Sequence, residues 1–170
     1  MGVLLYLMRH GAAEDVSSTG RDADRALTSA GGAVVRRVAL ALRGQQAPGR
    51  IIASPLVRAQ QTADIVRQVL CPHVEIDTDE DLVPEGSAYE LAVRLSSMTC
   101  DTLLVGHQPN IEMVARAIVA PPGPRVPAAS SPGLSTWMPP SFRTATVVAF
   151  HVEGRPPPYR LALAVDPNAV

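Results

Sequence analysis

Val3-Leu4-Leu5-Tyr6-Leu7-Met8-Arg9-His10-Gly11 begins with six apolar residues and breaks off at a cation, an imidazole and a glycine. A short run that is apolar at every position leaves no side for water. It predicts a strand buried on both faces, as in a parallel sheet. Gly11 then lets the backbone turn sharply. In open α/β sheets, ligands bind just beyond the carboxyl ends of the strands. Arg9 and His10, a permanent cation and a titratable nucleophile, thus arrive together where chemistry is expected. A strand end that merely carries two polar residues is the plain alternative, and the rest of the chain weighs against it.

Residues 12–25 are polar, with Gly, Ser and Asp among them, and read as a loop. Leu27-Thr28-Ser29 offers an N-cap to a helix over residues 30–43. There Val34, Val35, Val38, Ala41 and Leu42 recur at helical spacing, and Gly44 closes the helix. Residues 50–53 predict a second short strand. Ser54-Pro55 supplies a cap and a proline to the next helix, residues 56–70, which Cys71-Pro72 stops. Residues 74–77 predict an edge strand, and an acidic stretch runs from Asp77 to Glu85. A helix over 88–97, a strand over 102–105 ending in Gly106-His107, and a helix over 111–119 follow. Residues 121–141, rich in Pro, Ser and Gly and without periodicity, predict a long loop. Residues 144–151 and 159–165 predict two last strands, paired as a hairpin or flanking the sheet. No internal repeat or second domain is visible, so residues 1–170 predict one domain. The expected architecture is a three-layer α/β/α sandwich with a mainly parallel central sheet and right-handed crossovers.

Composition narrows the chemistry. A chain of 170 residues can bury roughly 70% of the surface its unfolded form exposes. With aromatics at only 4%, the core must be built from Ala, Val, Leu and Ile. A net charge of −1 gives no whole-molecule attraction to nucleic acid or to an anionic membrane. All fifteen basic residues are Arg, which removes a P-loop lysine and Schiff-base chemistry together. Cys71 and Cys100 are too few for a disulfide scaffold and lack metal-ligand spacing. The N-terminal apolar run is too short for a signal peptide, and no stretch approaches a membrane span. A soluble, cytoplasmic protein with reduced thiols is the expectation.

Three predicted strands deliver polar groups at their carboxyl ends: Arg9 and His10 from the first, Ser54 and Arg58 from the second, His107 from the fourth. In a parallel sheet those ends share one edge, so residues distant in sequence converge. Two guanidiniums offer planar, bidentate donors to phosphate oxygens, and Arg58 sits in a first helical turn whose free amides favour the same anion. Two imidazoles allow a division of labour. One, neutral, attacks phosphorus; the other, protonated beside the anion, donates to oxygens that gain charge in the transition state. A metal hydrolase would need carboxylates beside the imidazoles, and Arg9 and Arg58 would repel its cation. No HExxH, CxxC, GxSxG or strand-terminal GxGxxG occurs.

With these residues in view, the chain resembles the histidine phosphatase superfamily, of phosphoglycerate-mutase-like fold. The matching features are Leu7-Met8-Arg9-His10-Gly11, Leu27-Thr28 with Gly31, Ala53-Ser54-Pro55 with Arg58-Ala59-Gln60-Gln61-Thr62-Ala63, and Val105-Gly106-His107-Gln108-Pro109. They run in the family's order across most of the chain. The short length and the Gly106-His107-Gln108-Pro109-Asn110-Ile111 form look most like bacterial SixA-type phosphohistidine phosphatases. The resemblance implies that His10 accepts the phosphate, that Arg9, Arg58 and His107 complete the phosphate pocket, and that no metal or other cofactor is used.

Two features depart from the family pattern. Ala12-Ala13 stand where larger members carry a polar residue that touches phosphate. The catalytic acid of many members has only Glu80, Asp81 and Glu85 as candidates, of which Glu85, between Pro84 and Gly86, is best placed. Arg25 can reach a substrate phosphate or solvate a loop. His73 and His151 read as surface or structural imidazoles, and Trp137 either covers a sheet edge or lines a substrate rim. The expected substrate is phosphohistidine on a signalling or phosphotransfer protein. Small phosphorylated metabolites or nucleotides are the alternative, and a non-catalytic phosphate-binding module is a third reading, which the intact His10 and His107 argue against.

Overall fold

A computed structural model of the chain describes residues 2–119, 142–152 and 159–170. The Pro-rich stretch 121–141, with Arg125 and Trp137, lies outside these residues. The elements are β1 (Val3–Arg9), α1 (Ser29–Ala41), β2 (Arg50–Ala53), α2 (Val57–Leu70), β3 (Ile76–Thr78), α3 (Ala88–Leu95), β4 (Thr102–Gly106), α4 (Asn110–Val119), β5 (Val147–Val152) and β6 (Tyr159–Val165). Short 3-10 turns occupy Asp22–Asp24 and Glu80–Leu82.

Among the described residues, six strands form one sheet in the order β3-β2-β4-β1-β5-β6. The first four are mutually parallel, while β5 runs antiparallel to β1 and β6 antiparallel to β5. The last two strands thus both flank the sheet and pair with each other. β1 explains its own composition. Leu4, Tyr6 and Met8 pack against α1 and α2 through Val35, Val38, Ala59 and Ala63. Leu5 and Leu7 point the other way, toward Leu91 and Leu95 of α3 and Ile111 and Val114 of α4. Because strand side chains alternate and both faces carry helices, every position of the run is apolar. The result is the three-layer α/β/α sandwich.

Three local features differ from the sequence reading. Ser54 does not cap α2, whose N-cap is Leu56 without a side-chain bond, because Ser54 is buried and engaged elsewhere. β3 lies at Ile76–Thr78, with Val74 drawn instead into a turn whose N–H donates to the Cys71 carbonyl. Gly11 is not in the left-handed region. It is needed for space, since a Cβ there would lie 2.6 Å from Val35 Cγ2. Gly31, in the first turn of α1, answers it from the other side: a Cβ would fall 2.1 Å from the Ala12 carbonyl oxygen. The helix therefore packs directly on the backbone that follows His10.

Candidate active site

The register of the three parallel strands assembles the site. β4 lies between β1 and β2, with Gly106 opposite Arg9 and Val105 opposite Ala53. The next residues, His10, Ser54 and His107, therefore emerge side by side. The His10 amide donates to the Gly106 carbonyl at 3.1 Å and the Ser54 amide to the Val105 carbonyl at 2.9 Å. The two imidazole centroids are 4.7 Å apart with the rings tilted by 50°.

His10 Nδ1 lies 2.6 Å from the Gly11 carbonyl oxygen, which can only accept. Nδ1 therefore carries the proton, and Nε2 of the neutral ring keeps its lone pair. Burial pushes the His10 pKa down to about 4, helped by the charges of Arg58, Arg9 and Arg25 and opposed by the Gly11 hydrogen bond. His107 is more deeply placed, and its Nε2 is 2.9 Å from Ser54 Oγ. Its pKa is lowered to about 3, first by burial, then by His10 and Arg58, with Asp22 acting the other way. Without an anion, both rings are neutral at pH 7.

Arg9 ends β1; its Nη1 donates to the Phe142 carbonyl at 2.9 Å, and its Nε is buried without a partner among the described residues. Arg58 is only 5% exposed. Its Nη1 donates to the Asp22 backbone carbonyl at 2.8 Å and its Nη2 to Asp22 Oδ2 at 2.9 Å. Thr62 fixes the backbone of both halves, donating to the Arg58 carbonyl at 2.7 Å and accepting from the Gly11 amide at 3.0 Å. Arg25 donates through Nη1 to Asp22 Oδ1 at 2.8 Å and through Nε to the Glu14 carbonyl at 2.6 Å. It thus both ties down the loop and adds a charge felt at His10. Arg9, His10, Arg58 and His107 come together, and Arg25 stands beside them.

Glu85 is exposed and makes no hydrogen bond or ion pair with the described residues. Its turn is nonetheless anchored at the site's edge. Asn110 Nδ2 donates to the carbonyls of Asp81 at 2.5 Å and Val83 at 3.0 Å, and the Leu82 carbonyl packs over Gly106. Asp81 is committed to Arg94 at 2.9 Å, which holds its carboxyl below the usual range, and Glu80 is exposed. The alanines at 12 and 13 offer only backbone, the Ala12 carbonyl accepting from the Thr28 amide. His73 and His151 are exposed. Asp22, Thr62 and Asn110 are the contributors that sequence reasoning left without a role. Asp22 sits in an aperiodic loop, and only its closeness in sequence to Arg25 hinted at it. A cavity of about 340 Å³ lies away from the imidazoles, at the amino ends of β2 and β4, lined in part by Arg50, Arg94 and Cys100.

Among the described residues, no group of three His, Cys, Asp or Glu could hold a metal, and no helix is long and apolar enough to cross a membrane.

Residues 5–83 match the family model described as histidine phosphatase superfamily (branch 1). An uncharacterized protein of Picosynechococcus sp. is 37% identical over 121 residues, spanning 67% of this chain and 72% of that one. The solved structure of the protein histidine phosphatase SixA complexed with tungstate is similar, with a TM-score of 0.80 at 23% identity, covering 98% of this chain and 99% of that one. A mycobacterial glucosyl-3-phosphoglycerate phosphatase has a TM-score of 0.61 at 17% identity, covering 96% and 98%. At such identities the structural likeness is one of fold. The sequence match takes in Arg9, His10 and Arg58 and leads to His107 through the strand register, and the chain belongs to the histidine phosphatase superfamily.

Proposed function

We propose that this protein is a phosphatase that works through a phosphohistidine intermediate on His10, and that it acts on phosphohistidine carried by a protein. The carrying observation is the His10 ring itself. Nδ1 is pinned to the Gly11 carbonyl, Nε2 is unprotonated, and cationic Arg9 and Arg58 lie close enough to lower the ring's pKa. Nε2 attacks phosphorus as the bond to the leaving group breaks, and the bonding pair departs with that group. Water then attacks phosphorus, the P–Nε2 bond breaks, and inorganic phosphate leaves. Arg9 and Arg58 neutralise the phosphoryl oxygens. A bound dianion offsets the effect of the arginines on His107, so that ring gains a proton and donates to an equatorial oxygen. No step requires a metal or other cofactor, because the arginines supply the positive charge and would repel a divalent cation.

The choice of substrate rests on the leaving group. An imidazole departs with a pKa near ~6.5, whereas an alkoxide needs a proton delivered as the bond breaks, an effect worth ~10²–10⁴-fold. Glu85, the nominated donor, is exposed and held by no other described side chain, so strong acid catalysis is not built into the site. Small phosphorylated metabolites are the second reading, favoured by the fold shared with the glucosyl-3-phosphoglycerate phosphatase.

The test compares wild type with His10→Ala on a phosphohistidine protein, p-nitrophenyl phosphate and a metabolite panel. Turnover should fall by several powers of ten in the variant. Enzyme quenched during turnover of labelled substrate should carry acid-labile label that His10→Ala lacks. A variant retaining a tenth of the activity would exclude covalent catalysis by His10. Efficient turnover of metabolites alone would move the substrate reading to the second class.

A further inference from the structure

We propose that Asp22 is an internal anion that holds Arg58 and Arg25 while the site is empty and yields them to the phosphoryl group of the substrate. This rests on the phosphatase reading above and goes beyond it, since it assigns a residue that sets phosphate affinity.

Arg58 is a permanent cation, 5% exposed, and a buried charge without a partner is costly. Its partner is Asp22, whose backbone and carboxylate oxygens take Nη1 and Nη2 together. That is the end-on fork with which a guanidinium also grips a phosphate, so one ligand excludes the other from those donors. The second carboxylate oxygen takes Arg25 Nη1. One side chain thus occupies two of the cations whose charges bear on His10. Arg9, by contrast, has a buried Nε with no partner among the described residues. Arg58 is thus held by an anion, whereas the one described partner of Arg9 is the neutral Phe142 carbonyl.

The holder is also easy to move. The 3-10 turn Asp22–Asp24 has no buried residue and no side-chain N-cap bond, and the Asp22 side chain is 61% exposed. Releasing it removes no apolar surface from the core. The anion that replaces it must be at least as charged and as well shaped for the fork. A phosphoryl dianion meets that requirement; a substrate carboxylate only matches Asp22. Asp22 therefore discriminates for phosphate and speeds release of the product by reclaiming the arginines.

Two measurements test this on the full chain. Calorimetry with inorganic phosphate and with tungstate should show Asp22→Asn binding about fivefold tighter than wild type, the worth of one partly exposed ion pair. KM should fall with it, and folding is checked by circular dichroism. Hydrogen exchange on wild type needs no variant. Saturating tungstate should speed exchange of the Asp24 and Arg25 amides, whose bonds to Arg21 and Asp22 close the turn. It should slow exchange at residues 10 and 11. Unchanged or weaker phosphate binding in Asp22→Asn overturns the proposal. Tighter binding with an unaltered or slower turn also overturns it, because Asp22 is then a fixed repulsive charge. If wild type binds neither anion, and Arg58→Ala makes no difference, the phosphatase reading itself fails.

Discussion

On the proposed reading Arg58 and the two imidazoles carry the chemistry, and each makes a measurable claim. Arg58→Ala should weaken vanadate binding by about 1.5–3 kcal/mol, the scale of hydrogen bonds to a charged group. Arg36→Ala, on the exposed face of α1, should change it little. Equal effects would mean that the phosphate pocket is elsewhere. The imidazoles speak through pH. In the unfolded chain each takes up a proton near ~6.5, but in the fold only near 4 for His10 and 3 for His107. Between those values the unfolded state binds more protons, so stability is complete above pH 6.5 and is lost as pH falls toward 4 and then 3. Denaturant midpoints should decline from pH 7 to 5, and His10→Gln should reduce the slope. Saturating phosphate should reduce it too, because a bound anion makes the protonated rings less costly. A flat profile over that range would contradict the burial of the pair.

At the scale of elements, the contact between α1 and the turn after His10 gives the sharpest expectation. Replacing a helical glycine by alanine ordinarily stabilises by up to about 1 kcal/mol. At Gly31 the new Cβ would sit 2.1 Å from a backbone oxygen, and overpacking of this kind costs about 1–3 kcal/mol. The clash should win, so the denaturation midpoint of Gly31→Ala should fall, and activity with it as the His10 turn shifts. A midpoint equal to wild type would show that α1 can slide freely.

Elements such as β1, α1 and β4 were legible because burial on two faces or one stripe writes itself into residue order. β3 starts two residues and ends one residue later than expected because an edge strand takes its register from its single neighbour, with Ile76 opposite Ile51 and Thr78 opposite Ala53. The start of α2 was misread because a serine before a proline looks like a cap, whereas Ser54 is spent on His107. Arg9, His10 and His107 stand at or just past strand ends and Arg58 in the first turn of α2, positions that the apolar runs mark in the sequence. Asp22 has no such mark, since a carboxylate in a loop leaves no periodic trace of the arginine it will meet.

Over the whole molecule, the position of β1 has a consequence for synthesis. Its two neighbours in the sheet are β4 and β5, which begin at Thr102 and Val147. The region of the family match, residues 5–83, contains β1 but neither of its partners. A fragment of residues 1–97 should therefore keep at most the β2–β3 pairing, and its residue 3–9 amides should exchange at unfolded rates. Protection of those amides in the fragment would disprove the dependence. On the ribosome β1 waits for roughly a hundred more residues before its first partner, β4, is made. At about 5–20 residues per second that is of the order of ten seconds. During that interval an uncharged stretch rich in leucine is bare, and its shielding falls to whatever meets the nascent chain.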